Sequence, residues 1–120
     1  MNEHVRESLK HWFRMRRWVR KVIKHKYHKS VDDVIMNKDL GECWAANYCA
    51  LCGEYISYSF SYGFSYGFSC FLCPLHLNGD GCLSKDSSWY VVNVSTTWVE
   101  WLSASNEMIK ALWEIRDYGI

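Results

Sequence analysis

The sequence predicts a small α+β domain: a pair of zinc knuckles carrying an aromatic β-hairpin, flanked by an N-terminal and a C-terminal helix. Three observations carry that expectation. Cys49/Cys52 and Cys70/Cys73 form two Cys-x-x-Cys pairs with seventeen residues between them, a pattern suited to a tetrahedral zinc site. Between the pairs, Tyr58, Phe60, Tyr62, Phe64, Tyr66 and Phe68 alternate with Ser or Gly alone, which is a strand period and not a helical one. On either side of this module, apolar residues recur at three- and four-residue steps.

A chain of 120 residues suits a single domain spanning 1–120. Hydrophobic content of 49% and aromatic content of 17% exclude a disordered chain. The first thirty residues are broken by Arg and Lys and hold no apolar core of a signal peptide. No run of eighteen apolar residues occurs, so no membrane span is expected. The expectation is a cytoplasmic protein whose six Cys act as thiols or metal ligands and not as disulfides. The net charge of +1 hides an asymmetry. Residues 1–29 carry ten Lys/Arg and two acids, net +8, whereas residues 30–120 carry four and eleven, net −7. Such a split points to a charged partner, or to two parts of the chain facing each other.

Within the basic segment 1–29, Val5, Leu9, Trp12, Phe13, Val19, Ile23 and Tyr27 form one apolar stripe, predicting an amphipathic helix from Val5 to Tyr27. Arg6, Lys10, Arg14, Arg17, Arg20, Lys21 and Lys24 fall together beside it. Arg16 falls inside the stripe, where its long stem can snorkel outward. Trp18 falls off the stripe, among cations. Arg14, Arg17, Trp18, Lys21 and Lys24 are therefore the candidate surface for nucleic acid or another partner: clustered cations neutralise phosphates, and an exposed ring can stack on a base. The same pattern also describes an ordinary solvated helix face. A membrane-surface helix ranks lowest, because so small a protein needs the stripe for its core.

Ser30 is placed to cap a short second helix, with Asp33 in capping-box position, Val31, Val34, Ile35 and Leu40 on its apolar side and Gly41 ending it. The Cys-rich zinc module follows over 43–82. Cys49, Cys52, Cys70 and Cys73 are the expected ligands of one structural zinc, with Cys82 and then His76 as alternates. Cys43 reads as a buried, hydrophobe-like thiol. A redox role for either pair lacks a βαβ context.

The repeat at 57–68 is too long for one straight strand if the second knuckle is to return to the first. It should fold back as a hairpin, and an odd loop near Gly63 would keep all six aromatics on one face. That face either packs within the chain or serves as a platform for a partner. Beyond Cys82, Trp89 to Val94 is rich in aromatic and β-branched residues and reads as a short strand. Thr97 and Glu100 make a capping-box pair that opens a helix over 97–118. Trp98, Trp101, Leu102, Ser105, Met108, Ile109, Leu112, Trp113 and Ile115 lie on its core side, and Glu100, Glu107 and Glu114 lie opposite.

Cys49-Ala50-Leu51-Cys52, Cys70-Phe71-Leu72-Cys73-Pro74-Leu75, the lone Cys82 and the helix around Met108-Ile109-Lys110-Ala111-Leu112 together resemble a pattern in small bacteriophage proteins. The resemblance covers roughly residues 49 to 118, and Cys-x-x-Cys-Pro-Leu is its most specific part. It implies a zinc-binding accessory protein and no reaction. Zinc-containing His–metal nucleases are a poor match, because His76 stands near the knuckles without the companion residues that such a centre needs. No triad spacing occurs either. The expected function is thus non-enzymatic: a phage accessory protein in the host cytoplasm that binds and modulates a host protein or defence system. The alternative is nucleic-acid binding through the basic helix. A homo-oligomer is compatible with both.

Overall fold

The structure is a computed structural model that describes residues 1–45, 48–51, 73–82 and 84–119. Helix α1 (Glu3–Trp18) starts where the Asn2 side chain accepts hydrogen bonds from the backbone N–H groups of His4 and Val5, at 2.9 and 3.2 Å. This cap satisfies two of the donors that a helix start leaves orphaned. The helix then widens into a π turn (Val19–Ile23) and tightens into a 3₁₀ turn (Lys24–Lys26). The long helix expected over Val5 to Tyr27 is therefore present as three kinds of coil in series. Between the last two stands Lys24 at φ 44° and ψ −119°, a conformation that L side chains adopt only at a cost of about 1–3 kcal/mol.

Helix α2 (Asp33–Leu40) is capped by Asp32 and not by Ser30. Asp32 Oδ1 accepts from the backbone N–H groups of Val34 and Ile35, and Gly41 closes the helix at φ 76°. The shift moves its buried side: Met36 is fully buried, whereas Val34 and Ile35 are exposed. Ser30 instead makes an isolated antiparallel bridge with Thr97.

The expected α+β class does not hold. Among the described residues there is no strand, and that single bridge is the whole of the β structure. The segment read as a strand over Trp89 to Val94 is a helix, α4 (Ser88–Asn93). Ser87 Oγ accepts from the Tyr90 backbone N–H at 3.1 Å, and Asp80 Oδ1 takes that of Ser88 at 2.9 Å. Two caps and the burial of Val92 against the core outweigh the weak strand preference of Val91, Val92 and Val94. Before it, the short helix α3 (Pro74–Leu77) has Pro at its first position, where no backbone N–H is needed. The expected aromatic hairpin at 57–68 lies outside the described residues.

Helix α5 (Trp98–Glu114) closes the core. Thr97 Oγ1 accepts from the Glu100 backbone N–H at 3.3 Å, as the capping box requires. Glu100 reaches back one residue further than expected, to the backbone N–H and hydroxyl of Thr96. The carbonyls of Lys29 and Tyr27 accept from the N–H groups of Trp98 and Val99, at 3.2 and 3.0 Å. The end of the basic segment is thereby fastened onto the first turn of α5.

Helix α5 packs across α1, with α4 against α5 and α2 against α1. At their meeting point stand five tryptophans. Trp101 is fully buried, its ring 6.2 Å from that of Trp12, 5.6 Å from Trp44 and 5.8 Å from Trp98. Trp98 in turn meets Trp44 and Trp18. Offset and edge-on pairs at these separations suit the ring quadrupole and add about 0.5–1.5 kcal/mol each beyond area burial. No helix among the described residues is long and apolar enough to cross a membrane.

Candidate functional site

The cysteine module reaches the core through three separate segments. Cys49, Cys73 and Cys82 are each half-buried and pack on the core cluster. Cys49 Sγ lies 4.0 Å from Ser8 Oγ of α1. Cys73 is the N-cap residue of α3, and its carbonyl accepts from the Leu77 N–H at 3.1 Å. The Cys82 carbonyl accepts from Ser87 Oγ. His76 turns toward this last segment. A Cβ added to Gly81 would stand 2.6 Å from His76 Nδ1, so only glycine fits beside the imidazole without a shift. The loop is held there by the Asp80 N–H, which donates to the Leu75 carbonyl at 2.8 Å.

Cys52 and Cys70 lie outside the described residues, as do Tyr58, Phe60, Tyr62, Phe64, Tyr66 and Phe68. Among the described residues no three His, Cys, Asp or Glu side chains come together as a metal-binding group. Cys43 is different: buried, with its thiol pushed up by burial, and further by the charge of Asp33, against a backbone hydrogen bond from Ala45. It is the inert apolar thiol that the sequence suggests.

The basic surface divides into two parts. Arg14 is not an open cation. Its Nε and Nη2 donate to Glu42 Oε1 and Oε2 at 2.9 and 3.1 Å, a bidentate pair. His11, buried beneath, brings Nδ1 to 3.2 Å from Glu42 Oε1, close enough for an ion pair but not aligned as a hydrogen bond. Burial pushes the His11 pKa below its ordinary value, against the opposing pull of Glu42. Burial pushes the Glu42 carboxyl upward, but the contacts with Arg14 and His11 outweigh it and hold that carboxyl below the usual range. Nothing local in the sequence marks His11 and Glu42 as partners, since they are brought together only by the packing of α2 on α1.

Trp18 is the clearest correction to the expected surface. It is 6% exposed, its ring packs on Trp98, and its indole N–H donates to Asp39 of α2. It is therefore a core residue and offers no face for stacking. Phe13, by contrast, is 51% exposed although the periodicity placed it in the core stripe.

The second part of the surface is open. Arg17, Arg20, Lys21, Lys24, Lys26 and Lys29 are all exposed, as are His25 and His28 between them. The stretch from Arg17 to Lys29 contains no acid, and no salt bridge among the described residues engages any of its cations. Arg17, Lys21 and Lys24 thus stand open to solvent. Arg20, Lys26 and Lys29 extend the same ridge.

Compared with known proteins, the chain gives no match to a protein-family model, to a curated protein or to a solved structure.

Proposed function

We propose that this chain is a non-enzymatic binding protein, held together in part by zinc, whose cationic ridge docks on the phosphates of a nucleic acid. The observation that carries the reading is the acid-free stretch from Arg17 to Lys29, whose six cations are all exposed. Six cations on one short stretch repel one another, and a polyanion relieves that repulsion while releasing its own counterions. Zinc would be held by Cys49, Cys52, Cys70 and Cys73, with Cys82 and His76 as alternates, and would supply a structural cross-link and no reaction.

Fluorescence anisotropy with a labelled oligonucleotide at several salt concentrations tests the ridge. The logarithm of affinity should fall linearly with the logarithm of salt concentration, and the double variant Lys21→Glu/Lys24→Glu should lose most of the binding. Binding that is absent, or indifferent to salt, would overturn the reading.

A second reading follows the bacteriophage resemblance: an accessory protein that modulates a host protein in the host cytoplasm. A shallow groove favours it, lined by Val91, Val94, Val99 and Ala104 and edged by Glu100 and Glu107. Val91, Val94 and Val99 are all exposed there, and a contiguous apolar surface of this kind is what a protein partner covers. Cross-linking in host lysate, repeated with Val94→Glu/Val99→Glu, separates the two. A partner that is lost with the groove variant and kept with the ridge variant supports this reading. Sedimentation of the purified chain would reveal a second copy in that place.

A further inference from the structure

We propose that the groove between α1 and α5 holds one nucleotide of a single strand, with its base stacked on Phe13 and its phosphate between Arg17 and Arg20. The proposal rests on the nucleic-acid reading and deepens it, replacing the buried Trp18 with a different stacking residue. Phe13, Arg17 and Arg20 follow at four- and three-residue steps on one side of α1 and the turn after it, with Arg16 beside them. Across the groove stand Asn106 and Ile109 of α5. The groove is open on one side and offers about 380 Å³, within the roughly 300–1,000 Å³ of sites that take small ligands.

The charge of the groove selects the occupant. Three guanidinium groups line it, and no carboxylate does among the described residues. Arg16 is half-buried, and its Nη1 donates only to neutral acceptors, the Leu102 carbonyl and Ser105 Oγ. Burial, and then the nearby charge of Arg20, push its pKa below the usual arginine range. A cation in this position gains from an anion that water does not screen. The exposed Phe13 ring adds an apolar face that an unpaired base can cover and a paired one cannot. A phosphate joined to a flat ring satisfies both features, and a single strand presents it repeatedly.

The test compares a labelled single-stranded oligothymidine with a duplex of the same length, using the full chain. Phe13→Ala should weaken single-strand binding about tenfold, as loss of one base–aromatic stack does, while salt dependence and duplex affinity stay as in the parent. Phe13→Leu, which keeps apolar bulk, should lose the same affinity, and Phe13→Trp should retain it. Arg20→Ala should lower the salt slope by about one. Phe13 is half exposed, and a thermal midpoint for each variant separates binding from folding. If Phe13→Ala binds the single strand like the parent while Lys21→Glu/Lys24→Glu does not, the groove is wrong and the ridge stands. If Phe13→Ala weakens single strand and duplex alike, stacking is wrong. If the parent binds neither, or a polyglutamate competes as well as the oligonucleotide, the nucleic-acid reading fails with it.

Discussion

Replacing Trp101 by alanine should bring this protein close to unfolding. The side chain is fully buried and touches the rings of Trp12, Trp44 and Trp98, so it joins α1, the segment after α2 and the first turn of α5. A buried Trp→Ala change costs about 3–5 kcal/mol, combining lost transfer energy with the cavity that remains. Domains of this size have a total stability of about 5–15 kcal/mol, so one residue would carry from about a fifth of it to nearly all. The thermal midpoint should fall by roughly 10–20 °C, at a few degrees per kcal/mol. The control is Trp113→Ala. That ring is 51% exposed and its specific contact is the Arg116 guanidinium 4.6 Å above it, a cation–π pair worth about 0.5–1 kcal/mol at an exposed site. Both variants are to be unfolded by urea and by heat, followed by far-ultraviolet circular dichroism. A Trp101→Ala loss below about 1 kcal/mol, or a Trp113→Ala loss that equals it, would refute the tryptophan cluster as the centre of the core.

The His11–Glu42 pair makes the fold acid-sensitive. A base whose folded pKa lies below its unfolded value of 6.5 contributes stability that is complete above that value and lost as pH falls toward the folded one. Glu42, also lowered, loses its contribution as pH falls through its folded value, below 4.5. Both effects act in the same direction, so His11→Gln should flatten the drop in thermal midpoint between about pH 7.5 and about pH 5.5; an unchanged drop would remove His11 as its cause. For zinc, elemental analysis should return one ion per chain, and a chelator should lower the midpoint sharply, since structural zinc in small domains contributes apparent energies of about 10–16 kcal/mol. A metal-free preparation with paired, oxidised cysteines is the contrary outcome. Lys24→Gly should raise stability by about 0.5–2 kcal/mol by relieving the positive φ, less the cost of a freer unfolded chain. It should also weaken nucleic-acid binding by removing a cation from the ridge; equal or lower stability would show that the turn is unstrained.

Periodicity located α1 and α5 because each has large apolar residues at steps that a helix converts into one face. It misjudged how wide that face is. At about 100° per residue, the buried arc of α1 runs from Trp18 through Met15 and Trp12 to Leu9, half of the helix circumference. An arc that wide belongs to a helix covered on two sides, here by α5 and by α2. Since α2 contributes a single buried residue, Met36, its covering role left almost no trace in the sequence. Trp18 and His11 were hidden for that reason, and Phe13 passed for a core residue because it is apolar and stands beside Trp12. The strand expected at Trp89 to Val94 failed on a different point: six residues of largely β-branched and aromatic character describe a short half-buried helix equally well, and the caps at Ser87 and Asp80 decide between them. In the cysteine module, spacing alone suggests a ligand set, whereas the contacts of Cys49, Cys73 and Cys82 with the core depend on long-range packing.

The charge split between residues 1–29 and the remainder allowed two explanations, a partner or an internal match. The carboxylates of α5, among the described residues, are engaged elsewhere. Glu100 is spent on the cap of its own helix through Thr96. Glu107 pairs with Lys110 one turn away, at 3.2 Å. Glu114 accepts from the Asn78 side chain. Among the described residues, Glu42 engages Arg14 and His11 at the middle of the basic helix, Asp39 takes the Trp18 indole N–H and Asp117 meets the Met1 ammonium group, and none of the three reaches a cation of the ridge. The first turn of α5 meets the basic segment only through the backbone carbonyls of Tyr27 and Lys29, and those bonds hold the chain while leaving the Lys29 side chain exposed. The fold therefore fixes the position of its most cationic stretch, and no carboxylate among the described residues pairs with its cations. A protein that gained nothing from such a surface would carry the repulsion among Arg17, Arg20, Lys21 and Lys24 as a standing cost. The simplest way to offset that cost is an anion supplied from outside.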